Sequence, residues 1–250
     1  MFGSRLLYFS EVDSTNRIVR ELAPEEWRTG VVAITDFQTA GRGRGGRGWS
    51  SPAQSGLLMS TLLELPAAAE PADAIMFAAL AVADALRIST GMDVDTKWPN
   101  DLLVKGRKVC GMLAESVNRN GRRWAIVGIG INVLAAPTLD ATSRYAVTSL
   151  SEEAGSALDR ESLAVGVFRQ LDLWYRCLTQ GPDGVFAAWS ARLRMIGSDI
   201  IVQDGSGEWR GRALGARRDG ALLVRHVDGT LRSVHAGDVS IGAAEGFTAT

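Results

Sequence analysis

Histidine and cysteine are scarce in this 250-residue sequence, which contains two of each. His226 and His235 lie in strand-like segments near the carboxyl terminus, so the first 225 residues offer no imidazole base. This argues against a Ser-His-Asp hydrolase and against a metal site built on histidine. Cys110 and Cys177 are far apart and form no Cys-x-x-Cys pair, so we interpret them as reduced thiols of a cytoplasmic protein.

Long apolar segments and an excess of one charge are also absent. No run of about 18 residues is apolar and uncharged enough to predict a membrane-spanning helix, and residues 1–16 lack the pattern of a secretory signal. The 27 basic and 28 acidic residues give a formal net charge of -1 at pH 7. This balance does not indicate a general nucleic-acid-binding surface.

Lysine is the scarcer basic side chain, with three residues against 24 arginines. We attribute most of this imbalance to the nucleotide composition of the genome. The two side chains still differ chemically, because arginine forms a planar fork around phosphate and lysine is a compact point charge. Lys97 is therefore a candidate for a role that arginine does not fill.

Hydrophobic periodicity and turn residues divide the chain into two regions. Strands are predicted at 6–12, 31–37 and 56–65, with further short strands between 94 and 133, and helices at 15–23, 71–90, 160–179 and 183–194. After Ile196, five short strands separated by Gly-Ser-Gly and Asp-Gly turns predict a small barrel. The boundary is placed near residue 195, which gives a main domain of residues 1–195 and a small domain of residues 196–250.

The segment GRGRGGRGW, residues 41–49, places three arginines and five glycines between two predicted strands. It matches G-x-G-x-x-G, but no helix begins at the third glycine as a dinucleotide-binding turn requires, and Arg47-Gly48 replaces the Lys-Ser/Thr of a P-loop. Backbone N–H groups and guanidinium groups suit phosphate or carboxylate. We therefore predict an anion-binding loop, the Gly/Arg loop, with Trp49 as an apolar wall. A solvated RNA-binding Arg-Gly-Gly segment is the alternative, although such segments usually repeat and lack flanking strands.

The segment TKWPNDLLV, residues 96–104, places Lys97 at a strand end and Asp101 after a Pro-Asn turn. An ordinary hairpin with Trp98 in the core and Lys97 on the surface is the alternative to a binding role for these residues.

The segment IVGIGINV, residues 126–133, is an apolar strand interrupted by Gly128 and Gly130. Glycine weakens a strand interior unless another group lies close to the backbone. The segment is interpreted as a binding strand with Asn132 as its amide, and a core strand with a bulge is the alternative.

Together these segments resemble the biotin protein ligase family, also called biotin–acetyl-CoA-carboxylase ligases. The residues that carry the resemblance are Ser14-Thr15-Asn16, Gln38-Thr39-Ala40-Gly41-Arg42-Gly43-Arg44 with Gly46, Arg47 and Trp49, Lys97-Trp98-Pro99-Asn100-Asp101, Lys108 to Glu115, and Gly128-Ile129-Gly130-Ile131-Asn132. Their order and spacing fit over residues 5–245. The Gly/Arg loop combined with Lys-Trp-Pro-Asn-Asp makes the resemblance specific.

The resemblance implies an α+β fold. Family members have a mixed β-sheet with flanking helices, as in class II aminoacyl-tRNA synthetases, and a small C-terminal SH3-like β-barrel, which agrees with the boundary near residue 195.

Many bacterial members also carry an N-terminal helix-turn-helix domain that represses transcription. This chain begins almost at the first catalytic strand, so it resembles the short form that is not a transcriptional repressor. Gly45 stands where some relatives have arginine, so that contact with phosphate or effector is not expected here.

The family joins biotin to ATP, with Mg²⁺ on the polyphosphate, and forms biotinyl-5′-AMP and pyrophosphate. The biotinyl group then passes to one lysine of a biotin carboxyl carrier domain. Because the first step brings a carboxylate up to a phosphate, fixed positive charge must offset the repulsion between two anions. By resemblance, the catalytic residues are Lys97, Arg42 and Arg44, and Asp101 is the candidate Mg²⁺ ligand.

The resemblance also implies two sets of binding residues. Those expected at biotin are Ser14, Thr15, Asn16, Gln38, Gly41, Arg42, Gly43, Arg44, Lys97, Gly128 and Gly130. Those expected at the nucleotide are Arg44, Arg47, Trp49, Lys97 and Asn132. The two glycines of the strand at 126–133 would let the biotin bicycle lie flat against it.

The partner implied by the resemblance is the carrier domain of an acyl-CoA or pyruvate carboxylase. Binding of DNA or of a membrane is not expected, the location is expected to be cytoplasmic, and a homodimer is left open.

Two other functions stay open at this point. One is a lipoate or octanoate protein ligase of the same superfamily, which usually lacks this arginine spacing and the KWPND segment. The other is a nucleic-acid-binding module built on the Gly/Arg loop.

Overall fold

The computed structural model describes residues 1–22, 24–138 and 146–241. Within these residues the strands are β1 (Arg5–Val12), β2 (Val31–Gln38), β3 (Gly56–Glu64), β4 (Asp95–Lys97), β5 (Asp101–Val104), β6 (Arg107–Arg119), β7 (Arg122–Asn132), β8 (Asp199–Asp204), β9 (Gly207–Ala216), β10 (Leu222–His226), β11 (Leu231–Val234) and β12 (Asp238–Ile241). The helices are α1 (Thr15–Arg20), α2 (Asp73–Thr90), α3 (Leu150–Ala154), α4 (Arg160–Gln180) and α5 (Pro182–Ala191).

A seven-stranded mixed sheet has the order β1-β2-β3-β7-β6-β5-β4. β1 and β2 are parallel and the other neighbours are antiparallel. Two hairpins join β5 to β6 through Lys105-Gly106 and β6 to β7 through Asn120-Gly121, and all four turn residues have positive φ. Two positive-φ residues in sequence match the right-handed twist of a two-residue hairpin, which is why Gly follows at the second position.

The two faces of this sheet follow from alternation along β7. Ala125, Val127 and the isoleucines at 129 and 131 point into the main core with α2, whereas Trp124 and Ile126 join a smaller core with Val19 of α1. On the face that carries Trp124 and Ile126, the next residues toward the end of β7 are Gly128, Gly130 and Asn132. Because side chains alternate between faces, the glycines leave open space on the face that carries α1.

Helix α2 forms the centre of the main core. Twelve of its 18 residues are buried. Many of them are alanines, and these small side chains allow α4 and α5 to pack closely against the helix. The Asp73 carboxylate accepts a hydrogen bond from the Glu70 N–H at 2.7 Å, and Gly91 ends the helix in the left-handed conformation with φ 71°.

The C-terminal strands form a five-stranded antiparallel sheet of order β11-β10-β9-β8-β12. Its buried side chains join the main core, and Val202 and Val224 belong to that core. Polar contacts hold the loop between β9 and β10 against the rest of the fold: Trp98 Nε1 in the β4–β5 turn donates to the Gly220 carbonyl at 2.8 Å, and Arg218 binds both oxygens of Asp73 in α2 at 2.7 and 3.0 Å. The predicted α+β architecture is confirmed, and the division into domains at residue 195 stays a prediction.

Two predicted helices are too long. The helix predicted at 15–23 ends at Arg20, and residue 23 lies outside the described residues. Beyond the helix the Leu22 carbonyl accepts from Trp27 Nε1 at 3.1 Å. The helix predicted at 183–194 ends at Ala191. Leu193 instead forms a parallel bridge to Thr96 beside the edge strand β4, and Arg194 N–H donates to the Thr96 carbonyl at 3.2 Å.

The structure places both cysteines and one of the two histidines in separate elements of the fold. Cys110 is buried and Cys177 is exposed, and both are free thiols. The ring of His226 lies 5.4 Å from that of Trp209 in the small sheet. In the part of the chain that the structure describes, no helix has the length and apolar character needed to cross a membrane.

Candidate active site

A cavity of about 280 Å³ opens on the face of the large sheet that carries α1. The Gly/Arg loop, the β4–β5 turn, the β6–β7 hairpin and Asp238-Val239 of the small sheet surround it. Most of the residues predicted from the sequence line this single space: Ser14, Asn16, Gln38, Arg42, Gly43, Arg44, Arg47, Trp49, Lys97, Asp101, Gly128, Gly130 and Asn132. Segments separated by more than 100 residues in sequence therefore meet as the motifs predict.

Thr15 and Gly41 do not line the cavity. Thr15 is buried behind it, where its N–H and hydroxyl donate to Gln38 Oε1 at 2.8 and 3.2 Å. Its hydroxyl also contacts Ser60 Oγ at 2.6 Å, and Ser60 donates to Asn16 Oδ1 at 2.6 Å. Thr15 thus orients two side chains of the site. The Gly41 carbonyl accepts from Trp49 N–H at 2.9 Å and closes the base of the loop.

The Gly/Arg loop is folded by its own backbone. Gly43 N–H donates to the Arg47 carbonyl at 2.7 Å, and a short 3₁₀ turn spans Arg44–Gly46. Gly45 and Gly46 have φ of 62° and 76°, a region that favours glycine. The arginine side chains consequently project from a compact turn beside the cavity, which differs from a solvated Arg-Gly-Gly segment.

Glycines form the floor of the cavity on two paired strands. Gly111 of β6 is opposite Gly130 of β7, and the Trp49 indole lies over both. A Cβ atom on Gly111 would be 2.7 Å from Trp49 Cζ3, and one on Gly130 would be 2.6 Å from Trp49 Nε1. A Cβ atom on Gly128 would collide with the Asn16 amide. These glycines are needed for close approach, and in this structure the groups that approach are an indole and an amide.

The KWPND segment combines the two roles that the sequence left open, a hairpin with Trp98 in the core and a binding segment. Trp98 is buried, as a core residue would be, and its peptide bond to Pro99 is cis. Asn100 Nδ2 donates to the Met112 carbonyl, and Met112 N–H donates to the Asn100 carbonyl at 3.0 Å. The turn is therefore held against β6, and this directs Lys97 and Asp101 into the cavity.

Positive charge is concentrated around the cavity. Burial lowers the pKa of Lys97 below its ordinary value, while the charge of Asp101 opposes this shift and that of Lys108 adds to it. Burial also lowers the pKa of Arg44. Both effects mean that the charged forms lose hydration, and an anionic ligand would compensate that loss.

Sequence reasoning missed two charged residues of the site. Lys108 lines the cavity with its Nζ 2.7 Å from Asp101 Oδ1 and 5.4 Å from the centre of the Trp49 ring. Asp238 of β12 lies 2.6 Å from an Arg47 nitrogen. The sequence did point to Lys108, because it is one of only three lysines and begins a segment that carries the family resemblance. Asp238 reaches the site only through the position of the small sheet.

Apart from Asp101 Oδ1, which lies 2.7 Å from Lys108 Nζ, three buried polar atoms at the cavity have no hydrogen-bond partner among the described residues. They are Asn16 Nδ2, Trp49 Nε1 and Asn132 Oδ1, and all three are buried. A buried polar group without a partner is costly. Two donors and one acceptor in one cavity therefore fit a polar ligand that pairs with them.

The described residues contain no group of three or more His, Cys, Asp or Glu side chains that could hold a metal by itself. Asp101 is the predicted ligand, and one of its oxygens faces Lys108. Mg²⁺ in nucleotide sites is bound mainly by substrate phosphates with one or two carboxylates. Asp101 and Asp238 are the carboxylates that line the cavity in the described part of the chain, and a set this small fits an ion that arrives with the nucleotide.

Comparisons with known proteins identify the family. The family model of the Biotin/lipoate A/B protein ligase family matches residues 8–132, and that of the Biotin protein ligase C terminal domain matches residues 195–242. The biotin–[acetyl-CoA-carboxylase] ligase of Paracoccus denitrificans is 36% identical over 86% of this chain and 92% of its own length. The bifunctional ligase/repressor BirA of Bacillus subtilis is 32% identical over 97% of this chain and 75% of its own length.

A solved structure gives the same result for the fold. The biotin protein ligase from Aquifex aeolicus in complex with biotin and ATP superposes with a TM-score of 0.80, at 26% identity, over 96% of this chain and 100% of that one. The chain belongs to the Biotin/lipoate A/B protein ligase family, and its C-terminal match places it among the biotin protein ligases.

Proposed function

We propose that this protein activates biotin with ATP to biotinyl-5′-AMP and transfers the biotinyl group to a lysine of a biotin carboxyl carrier domain. The observation that carries the proposal is the cavity, in which arginines of the Gly/Arg loop and Lys97 converge beside buried polar atoms that lack partners. The match to the Biotin protein ligase C terminal domain favours biotin over lipoate.

In the first step a carboxylate oxygen of biotin attacks the α-phosphorus of ATP, and pyrophosphate leaves with the electron pair of the broken P–O bond. Two anions must approach each other in a partly dehydrated space. Lys97, Arg42 and Arg44 supply the fixed positive charge that offsets this repulsion and stabilises the crowded α-phosphate. Lys108 lines the same cavity and adds a second ammonium group.

Biotin would lie on the glycine floor near Gly128, with its ureido ring held by Ser14, Asn16 and Gln38. The network through Thr15 and Ser60 supports this assignment, because it fixes the direction of the Asn16 and Gln38 amides. Pockets for small ligands typically combine apolar walls with a few placed polar groups.

The adenylate would contact Trp49, Arg47 and Asn132. The indole already lies against the glycine floor with an unpartnered N–H, and the Asn132 amide donates to the Thr148 carbonyl at 3.1 Å while its oxygen has no partner in the described part of the chain. Closure of these groups over the mixed anhydride would exclude water. Mg²⁺ would neutralise charge on the polyphosphate, and Asp101 is the residue that would hold it.

In the second step the carrier lysine amine bonds to the acyl carbon and AMP leaves. We assign residues 1–195 to catalysis and residues 196–250 to the small domain, which contributes Asp238 and Val239 to the cavity. The acceptor belongs to an acyl-CoA or pyruvate carboxylase. A cytoplasmic location is supported by the exposed free thiol of Cys177, since cytosolic thiols stay reduced.

The test is to incubate the protein with biotin, MgATP and a biotin carrier domain and to weigh the carrier by mass spectrometry. We expect a mass increase of one biotinyl group on one lysine, which requires both ATP and biotin. Calorimetric titration with biotin and with lipoate gives an independent answer. Tighter binding of lipoate, or an unmodified carrier in the complete mixture, would contradict the proposal.

A further inference from the structure

A second hollow lies beside the cavity, on the other side of the Gly/Arg loop. It is lined by loop residues 42–47 and by Leu113 and Glu115 of β6. Leu113 and three loop arginines line the cavity as well, so the two spaces are neighbours separated by the loop. A group bound in the hollow would therefore lie next to the loop arginines that are assigned to the reacting groups.

The positive charge around the cavity opposes the approach of the acceptor lysine. At neutral pH the acceptor arrives as an ammonium ion, and the acyl group that it must reach lies among arginines and lysines. The two carboxylates that line the cavity are both engaged, Asp101 with Lys108 and Asp238 with Arg47. A cation that approaches such a site is repelled unless a carboxylate lies on its path.

Glu115 occupies that position. Among the described residues it is the one carboxylate that lines the second hollow. It lies two residues from Leu113 on the same face of β6, which directs it toward the loop. Its side chain is 22% exposed, and its partner is Arg20 of α1, whose Nη2 is 2.6 Å from Glu115 Oε2.

The Arg20–Glu115 ion pair is suited to exchange. The Arg20 side chain is 45% exposed, and ion pairs with an exposed member contribute little to stability. An incoming ammonium can therefore replace Arg20 at Glu115 with little loss of folding free energy.

We propose that Glu115 is a specificity residue that receives the ammonium group of the acceptor lysine and guides it through the second hollow. The inference rests on the proposed function and concerns its second step. The ammonium releases a proton to solvent water, and the free amine bonds to the acyl carbon and loses a second proton to solvent water. The bond from that carbon to the phosphate oxygen breaks, so that AMP leaves with the electron pair. Glu115 acts before this chemistry and contacts only the arriving lysine.

The experiment compares two variants that break the same ion pair. Glu115→Gln removes the carboxylate, whereas Arg20→Ala removes its partner and leaves the carboxylate available. We expect Glu115→Gln to raise the KM for the carrier domain by about threefold to tenfold, because loss of a steering charge mainly slows association. Arg20→Ala should leave this KM unchanged or lower it. Pyrophosphate exchange with biotin and ATP should be normal in both variants.

Two further readouts separate steering from a structural role. Hydroxylamine, which is mostly uncharged at neutral pH, should capture the biotinyl group at equal rates in wild type and in Glu115→Gln. High salt should reduce the difference in carrier KM. Equal KM values for the two variants, or a slower reaction of Glu115→Gln with hydroxylamine, would overturn the inference. Absence of pyrophosphate exchange in the wild-type protein would instead refute the proposed function.

Discussion

Lys97 is an ammonium group that lies in the wall of a cavity and is partly withdrawn from water. Burial lowers its pKa, and the nearby Lys108 acts in the same direction. Asp101 compensates only in part, because it is also paired with Lys108 at 2.7 Å. The Lys97 ammonium therefore loses hydration in the folded protein, and the binding of an anion would compensate that loss.

Replacing Lys97 by alanine removes a charge that we propose acts mainly in the transition state. We expect a loss of about 100- to 1000-fold in the rate of adenylate formation. The measurement is pyrophosphate release with biotin and ATP. Lys105→Ala is the matched control, because that lysine is exposed and pairs with Glu153 at 3.1 Å, outside the cavity. A near-normal rate for Lys97→Ala would remove Lys97 from the mechanism.

Replacing Lys97 by methionine should stabilise the fold at neutral pH. Since the folded-state pKa is lowered, the cost of burying the ammonium is present while pH lies below that pKa. That cost disappears as pH rises through the folded pKa toward the ordinary value of 10.5. The melting temperature of Lys97→Met should therefore exceed that of wild type at pH 7, and the difference should shrink above pH 10. A lower melting temperature for the variant at pH 7 would contradict this sign.

At the scale of elements, alternation along paired strands explains the site. On β6 and β7 one face carries core side chains, and the opposite face carries Gly111 beside Gly130. The sequence predicts the β7 glycines as close-approach positions, because glycine in a strand needs such a reason. It does not predict that Gly111 would face Gly130, since that depends on the register of the hairpin around Asn120-Gly121.

The same limit explains the error at the end of α5. Leu193 and Arg194 continue a helical pattern, yet they leave α5 to meet Thr96 beside β4. This contact joins residues about 100 positions apart, and no local propensity encodes it. Predictions based on local pattern succeed where the partner is local, as for the strand and helix types, and fail where a distant edge strand offers hydrogen bonds.

Gly130→Ala tests the glycine floor. The new methyl group would fall 2.6 Å from Trp49 Nε1, so the indole must move. We expect a loss of about 1–3 kcal/mol in the free energy of unfolding, as is usual for overpacking. The KM for ATP should rise, because Trp49 is assigned to the nucleotide. Thermal melts and steady-state kinetics give both values.

Gly215→Ala is the control for this prediction. Gly215 lies in β9, and a Cβ atom there meets no heavy atom of the described chain within 4 Å. Its melting temperature and its KM for ATP should remain those of wild type. Identical behaviour of the two alanine variants would show that Trp49 does not depend on the glycine floor.

At the scale of the whole molecule, the small sheet completes the site. Asp238 and Val239 line the cavity, and the Gly220 carbonyl accepts from the Trp98 indole at 2.8 Å. The sequence predicts a small β region and its position in the chain. It does not predict which of its residues reach the Gly/Arg loop, because that depends on how two sheets pack together.

Arg218→Ala tests the connection between the β9–β10 loop and helix α2. Arg218 holds both oxygens of Asp73, whose side chain is 0% exposed. Its removal leaves a buried carboxylate without its cation, and we expect a loss of about 3 kcal/mol in the free energy of unfolding. Denaturant unfolding measures this. Arg217→Ala is the control, because Arg217 is more exposed and lies 3.7 Å from Asp219, so its loss should be small. Equal effects of the two variants would rule out a special role for the Asp73 pair.

The distribution of lysine has a practical consequence for mapping the complex with the acceptor. Of the three lysines, Lys97 and Lys108 line the cavity, and Lys105 is exposed at the tip of the β5–β6 hairpin. An amine-reactive crosslinker of fixed length therefore has one lysine outside the cavity to attach to. Any crosslink from Lys105 to an acceptor would report the distance of that acceptor from a single known point on the molecular surface.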